Sequence, residues 1–289
     1  MTEKKYFYKA FFILISYILL SFLLSFYSMF IAENGIGDQL INHQIKKNSI
    51  NPKIETIFLG DSSLGNSINA DYFSKLSKSN SLNLALSGND SFAGSFALLE
   101  NSNFKNLKHI YIISSLDIWR RAPSHFQYNY IGSKSNLLKK IVFTIKQTFN
   151  IKFHTQRIKH SLNKSKNKNY FFSDYIKQNK AYFNKTRFKS INYNKIFYLN
   201  KIFQYCKNND LNCTYFHGPI YKEHCVDINS INYINSVNKF IKKKVNYSEI
   251  LFCMERDQLG DSDDHISPNY KNIFTKQFYI YNQNNYKKK

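Results

Sequence analysis

The feature that most constrains this chain is an apolar run near its N-terminus. Ala10–Ala32 reads AFFILISYILLSFLLSFYSMFIA and contains no charged residue. A helix needs about 20 such residues to cross the hydrocarbon core of a bilayer, so the run predicts one membrane-spanning helix. Lys4, Lys5 and Lys9 precede it. Because positive charge is retained on the cytoplasmic side, we expect residues 1–9 to be cytoplasmic and the remainder to lie outside.

A cleaved signal peptide is the alternative interpretation of the same run. Its apolar core would normally be about 7–15 residues long, with small residues before the cleavage site. Here the run is longer, and Phe30 occupies a position where a small residue is needed if Ala32 ends the signal. We therefore favour an uncleaved, single-pass anchor in the inner (cytoplasmic) membrane. A polar linker over 33–53 and a periplasmic or extracellular domain over 54–289 would follow it.

The chain is strongly basic, with 41 Lys and Arg residues against 19 Asp and Glu residues and a formal charge of +22. Most of the excess lies between Lys134 and Lys195, where 16 Lys and Arg residues accompany a single acid, Asp174. We interpret 134–190 as a basic insertion in the folded domain. A nucleic acid is not an expected partner, because this stretch is predicted to lie outside the membrane. Anionic glycans or lipid headgroups remain as candidate polyanions.

One part of the basic stretch has helical periodicity. Leu138, Ile141, Val142, Ile145 and Phe149 recur at the spacing of one helix face, with lysines between them. Two interpretations remain open. Such a helix can lie on a membrane surface, but a stripe of this kind is more often the core-facing side of a helix.

The rest of the chain predicts an α/β fold. With 43% hydrophobic and 17% aromatic residues, it has the apolar content to build a core. Short apolar runs alternate with helical patterns, which predicts a three-layer, doubly wound and mostly parallel sheet of the flavodoxin-like kind. The predicted strands are Thr56–Leu59, Leu82–Leu86, His109–Ser114, Cys213–Phe216 and Ile250–Cys253. The predicted helices cover about 69–78, 91–102, 191–208, 231–245 and 268–280.

Polar signatures follow three of these strands, at the sheet edge where chemistry is expected in such folds. Phe58–Gly65 reads FLGDSSLG, Asn83–Asp90 reads NLALSGND, and Asp261–Pro268 reads DSDDHISP. Ser62 would project from the first turn, where backbone N–H groups can face a developing oxyanion. His265 could take a proton from that hydroxyl, and a nearby carboxylate could fix its tautomer. Each segment alone also fits an ordinary turn or helix cap.

Together, the three segments resemble the SGNH (GDSL-type) hydrolase superfamily, over roughly Lys53–Phe278 without the basic insertion. The resemblance implies Ser62 as nucleophile and His265 as base. It also implies that the backbone N–H groups of Ser62 and Gly88 donate to the oxyanion. The phrases NLALSG and DHIS are most similar to membrane-anchored members that add or remove O-acyl groups on envelope polysaccharides.

The oxyanion hole departs from the family pattern. The usual third segment is Gly-x-Asn-Asp, and its Asn completes the hole, but Leu116 stands where that Asn is expected. The loss of one oxyanion donor commonly costs about 10²–10³ in rate. Asn89, Ser115 and Asp117 are the neighbouring polar residues that could substitute.

The acid of the triad departs from the pattern as well. The family's last segment is Asp-x-x-His, but the residue three positions before His265 is Ser262. The acid must therefore come from Asp261 or Asp263, and we slightly prefer Asp263.

Other residues near the strand ends are weaker candidates for substrate contacts. We place Asp61, Trp119, Arg120 and His217 in this group. Trp119 could stack on a sugar ring while the arginine pair Arg120 and Arg121 meets an acidic glycan. Packing of Trp119 and His217 inside the fold is the commoner arrangement for residues of these types.

The cysteines and histidines do not fall at zinc-site spacings, so we expect no metal and no cofactor. The four Cys residues would lie in an oxidising compartment, where one or two disulfides can form. Cys206–Cys213 and Cys225–Cys253 are the pairs we suggest.

Three functions remain open at this stage. The first is an O-acyl esterase acting on an envelope glycan through an acyl-serine intermediate. The second is an O-acyltransferase that uses the same intermediate, with a sugar hydroxyl in place of water. It would need a multi-pass membrane partner that exports the acyl group. The third is a catalytically inactive, membrane-tethered glycan-binding or scaffold protein on the same fold, which the missing Asn favours.

Overall fold

The computed structural model describes residues 3–32, 36–50, 53–162, 188 and 190–286. The chain divides into two compact units. The first, called the helical unit below, comprises Met1–Asn42 and Asn129–Asn169. The second, called the sheet unit, comprises His43–Tyr128 and Tyr170–Lys289. Part of the predicted basic insertion, 163–187, lies outside the described residues.

Helices and strands alternate through the sheet unit. The strands are β1 (Thr56–Gly60), β2 (Ser81–Asn83), β3 (His109–Ser114), β4 (Asn212–His217), β5 (Ile220–Tyr221) and β6 (Cys253–Met254). The α-helices of the chain are α1 (Glu3–Phe26), α2 (Ile36–Ile50), α3 (Ser62–Ser67), α4 (Ala70–Ser77), α5 (Ser91–Glu100), α6 (His125–Lys134), α7 (Leu137–Gln147), α8 (Ile151–Leu162), α9 (Ile196–Asn208), α10 (Lys222–Val226), α11 (Ile228–Lys242) and α12 (Pro268–Tyr286).

A parallel sheet lies at the centre of the sheet unit, with the strand order β2-β1-β3-β4. Gly60 pairs with Ile113 across β1 and β3, and Ser114 pairs with His217 across β3 and β4. Every residue of β1 is buried, and so is every residue of β3 after the first. Parallel strands covered on both faces read as continuous apolar runs, which is why these two are visible in the sequence. The α/β class with a mostly parallel sheet is confirmed.

Two predicted strands differ from the observed ones. The second ends earlier than Leu82–Leu86, although the Leu84 and Leu86 N–H groups still donate to carbonyls of β1 at 2.9 Å. The prediction for Ile250–Cys253 is wrong, because only β6 is extended there and it pairs with β5 in a separate two-stranded sheet. The segment that follows α11 pairs with β4 at a single bridge, between Tyr247 and Tyr215, and forms no fifth strand of the main sheet there.

One face of the sheet packs against an aromatic cluster. Phe58 of β1, Tyr111 of β3 and Phe216 of β4 all contact Phe278 of α12, with ring centroids 5.0–6.1 Å apart. Large aromatic side chains contribute much of the buried area that stabilises such a core. Since α12 begins at Pro268, this packing also fixes where the residues just before it lie.

The N-terminal apolar run forms a continuous helix. The segment Lys4–Ile31 is long and apolar enough to cross a membrane, a test that a signal sequence near an N-terminus also passes. The stretch 33–53, predicted as a polar linker, contains the helix α2 over Ile36–Ile50. Gln44 and Asn48 of α2 donate side-chain hydrogen bonds to backbone carbonyls at 2.7 and 2.8 Å, so this part of α2 is anchored within the sheet unit.

Both suggested disulfides are confirmed, Cys206–Cys213 and Cys225–Cys253. They close loops of unequal length, with sequence separations of 7 and 28 residues. A disulfide stabilises a protein mainly by restricting the unfolded chain, and the effect grows with the length of the loop that it closes.

We therefore expect unequal losses of stability when the disulfides are removed. Cys225→Ser with Cys253→Ser should lower the free energy of unfolding by about 3–4 kcal/mol, and Cys206→Ser with Cys213→Ser by about 2–3 kcal/mol. Denaturant unfolding can be followed by the fluorescence of Trp119, the single tryptophan, which is fully buried in the sheet unit. An equal or reversed order of the two losses would contradict the loop-length account.

Candidate active site

The turn between β1 and α3 positions Ser62. Gly60 ends the strand so close to β3 that a Cβ on it would lie 1.7 Å from the Ile113 carbonyl oxygen, and only glycine fits there. Asp61 then caps α3 by accepting a hydrogen bond from the Ser63 N–H at 3.0 Å. Ser62 is thus the first residue of the helix, and its own N–H has no acceptor within that helix.

The segment before α12 brings His265 to Ser62. His265 Nε2 lies 3.0 Å from Ser62 Oγ, and His265 Nδ1 lies 2.7 Å from Asp261 Oδ1. A bridge between Leu259 and Ile266 and a hydrogen bond from Gly260 N–H to the His265 carbonyl close this loop. The loop closure thereby places Asp261 behind the imidazole and Ser62 in front of it.

This arrangement has the geometry of a nucleophile with its general base. Because the carboxylate of Asp261 can only accept, the proton of the imidazole resides on Nδ1. Nε2 is then free to accept from the Ser62 hydroxyl, as a base that activates a serine must do. The sequence prediction that Ser62 and His265 lie together is met by the structure.

The electrostatics of the site act on His265 in opposite directions. Burial lowers the pKa of His265, but the hydrogen bond to Asp261 and the negative charges of Asp264, Asp261 and Asp61 raise it. The net result is a pKa above the ordinary value of 6.5. The positive imidazolium that forms when Ser62 loses its proton is therefore stabilised by these carboxylates.

The preference for Asp263 as the triad acid is wrong. Asp263 is buried and its Oδ2 accepts from His224 Nε2 at 3.0 Å, while its backbone carbonyl accepts from the Tyr221 N–H at 2.7 Å. Both contacts direct it away from His265 and toward the α10 region. Asp261, four residues before His265, is the residue that contacts the imidazole instead.

Asp264 is a carboxylate that sequence reasoning did not assign. Its Oδ1 lies 3.7 Å from His265 Nε2, on the same side of the ring as Ser62, and it also accepts from Ser262 Oγ. The acidic run DSDD was a signal for more than one carboxylate near the histidine. Asp264 adds negative charge on the side of the ring where the proton arrives.

Asp61 does not meet the prediction of a substrate contact, because only 1% of its surface is exposed. Besides the Ser63 N–H, its carboxylate accepts from the Ser115 N–H at 3.1 Å and from Ser115 Oγ at 2.8 Å. Burial, aided by the negative charge of Asp264, raises the pKa of Asp61 to about 6. Its role is to join the ends of β1 and β3.

The predicted oxyanion loop lies beside Ser62 at the same sheet edge. The Leu86 N–H donates to the Gly60 carbonyl. Gly88 lies two residues after Leu86, just as Ser62 lies two residues after Gly60. Within the described part of the chain, the Gly88 N–H donates no hydrogen bond to the protein. It remains available to a ligand oxygen.

The residue at the expected Asn position cannot act as a donor. Leu116 is an apolar residue with 3% of its surface exposed. Two of the suggested substitutes are already engaged, since Ser115 Oγ donates to Asp61 and the Asp117 carboxylate pairs with Arg121 at 3.0 Å. Asn89 is exposed, so its side-chain amide is the one candidate of the three that faces solvent.

Arg121, the second arginine of the pair predicted to meet an acidic glycan, lies against Gly88. A Cβ on Gly88 would lie 2.6 Å from an Arg121 guanidinium nitrogen, and a second guanidinium contact reaches Asn89 Oδ1 at 3.4 Å. The positive charge therefore lies directly against the predicted oxyanion loop. Arg120 is exposed on the following turn.

Trp119 and His217 are packing residues, so their prediction as substrate contacts is wrong. Neither exposes any surface. Trp119 Nε1 donates to Tyr215 OH at 3.0 Å, and His217 Nε2 lies 2.7 Å from Asn238 Oδ1. Burial lowers the pKa of His217 to about 4, so it is neutral at physiological pH. Both are satisfied inside the fold.

The contact between Asp261 and His265 makes a testable prediction about titration. The pKa of His265 should lie above 6.5, because the carboxylates favour its charged form. Asp261→Asn removes the largest favourable contact and should lower that pKa. The titration can be followed by NMR of the imidazole carbons.

Asp257→Asn provides a matched control, since it removes the same charge from an exposed residue of the neighbouring turn. It should leave the His265 titration nearly unchanged. If Asp261→Asn has no more effect than Asp257→Asn, the assignment of Asp261 as the partner of His265 is wrong.

The site was also compared with known proteins. No protein-family profile, no curated protein and no solved structure matches this chain. The support for its chemistry therefore comes from the contacts described above, above all those of Ser62, His265 and Asp261.

Proposed function

We propose that this protein catalyses O-acyl chemistry through an acyl-serine intermediate on Ser62. The observation that carries the proposal is the aligned row Ser62 Oγ, His265, Asp261, with successive contacts of 3.0 and 2.7 Å. A serine hydroxyl is a weak nucleophile until an oriented base removes its proton. Serine, base and orienting carboxylate are all present at one sheet edge.

The reaction would proceed in two balanced halves. Ser62 Oγ attacks the carbonyl carbon of an ester while His265 Nε2 takes the hydroxyl proton. The bond to the leaving alcohol oxygen then breaks, and that oxygen takes the proton from the imidazolium. In the second half, water or a sugar hydroxyl gives its proton to Nε2 and attacks the acyl-serine. Ser62 Oγ leaves and recovers the proton.

The developing oxyanion needs donors aimed at it before the reaction begins. The N–H groups of Ser62 and Gly88 are the proposed pair, both without acceptors from their own secondary structure. The Arg121 guanidinium against Gly88 supplies positive charge at the loop that carries the Gly88 N–H. This charge offsets part of the oxyanion stabilisation that is lost because Leu116 stands where the Asn is expected.

We further propose that the sheet unit has the three-layer, doubly wound arrangement of the SGNH superfamily and lies outside the cytoplasm. The charge-free helix at the N-terminus, preceded by lysines, supports an anchor with its N-terminus inside. Two disulfides support the same placement, because disulfides persist mainly in oxidising compartments.

An envelope polysaccharide is the proposed substrate, with acetyl or a similar group as the acyl. An esterase and a transferase would share every residue of the site and differ in whether water or sugar accepts the acyl group. A transferase would need an acyl donor delivered across the membrane by a multi-pass partner. The surroundings of Ser62 do not favour one acceptor over the other.

The proposal predicts hydrolysis of an activated ester such as p-nitrophenyl acetate by the full chain in detergent. Ser62→Ala removes the attacking oxygen and should lower the rate of p-nitrophenol release by roughly 10⁴-fold or more. The measurement is the absorbance of p-nitrophenolate under steady-state conditions.

Ser63→Ala is the matched control, because its buried hydroxyl has no hydrogen-bond partner and its backbone N–H is retained. It should keep most of the rate. If the wild-type protein is folded but no faster than Ser62→Ala, the enzymatic proposal fails and a binding or scaffold role takes its place. If the wild-type protein is active, addition of a sugar with free hydroxyl groups distinguishes an esterase from a transferase, since only a transferase forms the sugar ester.

A further inference from the structure

The apolar stripe of α7, recognised in the sequence, is not buried in the helical unit. Leu138, Val142, Ile145 and Phe149 each expose between 50% and 73% of their surface. Only Phe143 and Thr144 of this helix are buried. Of the two interpretations left open by the sequence, the burial of these four residues in a protein core therefore does not hold. A contiguous apolar face of this kind is unusual on a surface that contacts water.

The helix α7 runs antiparallel along α1. Three contacts establish the direction: Lys140 lies over the Phe30 ring at 4.2 Å, Ser25 Oγ donates to the Thr144 carbonyl at 3.1 Å, and the rings of Tyr17 and Phe149 stack at 6.1 Å. As the numbers rise along α7, they fall along α1. From Phe30 to Tyr17 the axis of the helical segment Lys4–Ile31, of which α1 is the main part, covers about 20 Å at 1.5 Å per residue.

The helix α8 returns from the end of α7 and is fixed to Ser28, in the last turn of the helical segment Lys4–Ile31. His154 of α8 contacts Ser28 Oγ, and Arg157 donates to the Ser28 carbonyl at 3.0 and 3.1 Å. Arg157 also pairs with Asp38 at 2.9 Å. These buried polar contacts hold the α7–α8 hairpin in place beside α1, so its exposed apolar face has a defined position.

That face is continuous with the exposed apolar surface of α1. Tyr17, which touches Phe149, exposes 49% of its surface, and Phe22 exposes 45%. If α1 crosses a bilayer, residues that pack at the level of Tyr17 and Ser25 lie at the depth of its acyl chains and interface. The hairpin cannot follow α1 from Phe30 to Tyr17 without entering the acyl-chain layer.

The charges of the hairpin fit the surface of a membrane. Between positions 134 and 162 there are seven Lys and Arg residues and no Asp or Glu. Lys139, Lys146 and Lys152 are exposed beside the apolar face. Long lysine side chains can extend their ammonium groups to the headgroup layer while their stems lie along apolar surface. Basic amphipathic helices bind membranes through their buried apolar area and through attraction to anionic lipids.

We propose that the α7–α8 hairpin is a second membrane-embedded element, in which the apolar face of α7 enters the acyl-chain layer beside α1 and the lysines at the Phe30 end of α7 contact anionic lipid headgroups. This inference depends on the membrane-anchoring part of the proposed function and is independent of the chemistry at Ser62. It gives the helical unit a broad attachment to the membrane rather than a single tether. The occupant of the apolar face is lipid.

The test uses the full chain in vesicles of phosphatidylcholine and phosphatidylglycerol. Single cysteines are introduced at exposed positions, Val142→Cys and Ile145→Cys, and labelled with an environment-sensitive NBD dye. The native cysteines are held in disulfides and do not react. Lipids brominated on their acyl chains then quench any dye that lies among them. Phe22→Cys is the control for α1, and Lys207→Cys, exposed on α9, is the control for the sheet unit.

The proposal predicts blue-shifted emission and strong quenching at positions 142 and 145, comparable to that at position 22, with no quenching at 207. Quenching at 22 without quenching at 142 and 145 would overturn the hairpin proposal and leave the anchor intact. Blue-shifted but unquenched dyes at 142 and 145 would also overturn it, because a second protein surface rather than lipid would then cover the face. Absence of quenching at 22 would overturn the anchor itself, and the hairpin proposal with it.

Discussion

The buried carboxylate of Asp61 is the interaction on which the candidate site depends. It accepts hydrogen bonds from the Ser63 N–H at the start of α3 and from both the N–H and the hydroxyl of Ser115 after β3. A carboxylate removed from water is costly unless such donors surround it. Asp61 therefore cannot move without unpairing two strand ends, and Ser62, the next residue, is held at one place on the sheet edge.

The second constraint is the position of α12, the last helix of the sheet unit. The aromatic packing of Phe278 against three strands fixes α12, and α12 begins three residues after His265. The loop that carries Asp261 and His265 is thus attached to the core at one end and closed on itself through Gly260. Serine and base belong to segments 203 residues apart in sequence, and the core brings them within 3.0 Å.

The sequence allowed the α/β class and the pairing of Ser62 with His265 to be predicted, because polar residues after buried strands meet at one sheet edge. It did not decide between Asp261 and Asp263, since both flank the position of the acid in the SGNH pattern that the sequence resembles, and only the closure of the loop separates them. Trp119 is fully buried and therefore cannot contact a substrate, and its residue type alone does not reveal whether it is buried or exposed. The stripe of α7 was ambiguous for a related reason: a helix face that packs on protein and one that meets lipid have the same periodicity.

The central claim is that His265 activates Ser62, and covalent labelling tests it most directly. The full chain is treated with a fluorophosphonate, which reacts with activated serines, and the modified residue is located by mass spectrometry. The account predicts a phosphonate on Ser62 in the wild-type protein, none on the adjacent Ser63, and loss of the adduct in His265→Ala. A folded wild-type protein that remains unlabelled, or a His265→Ala variant that is labelled at the same rate, would contradict it.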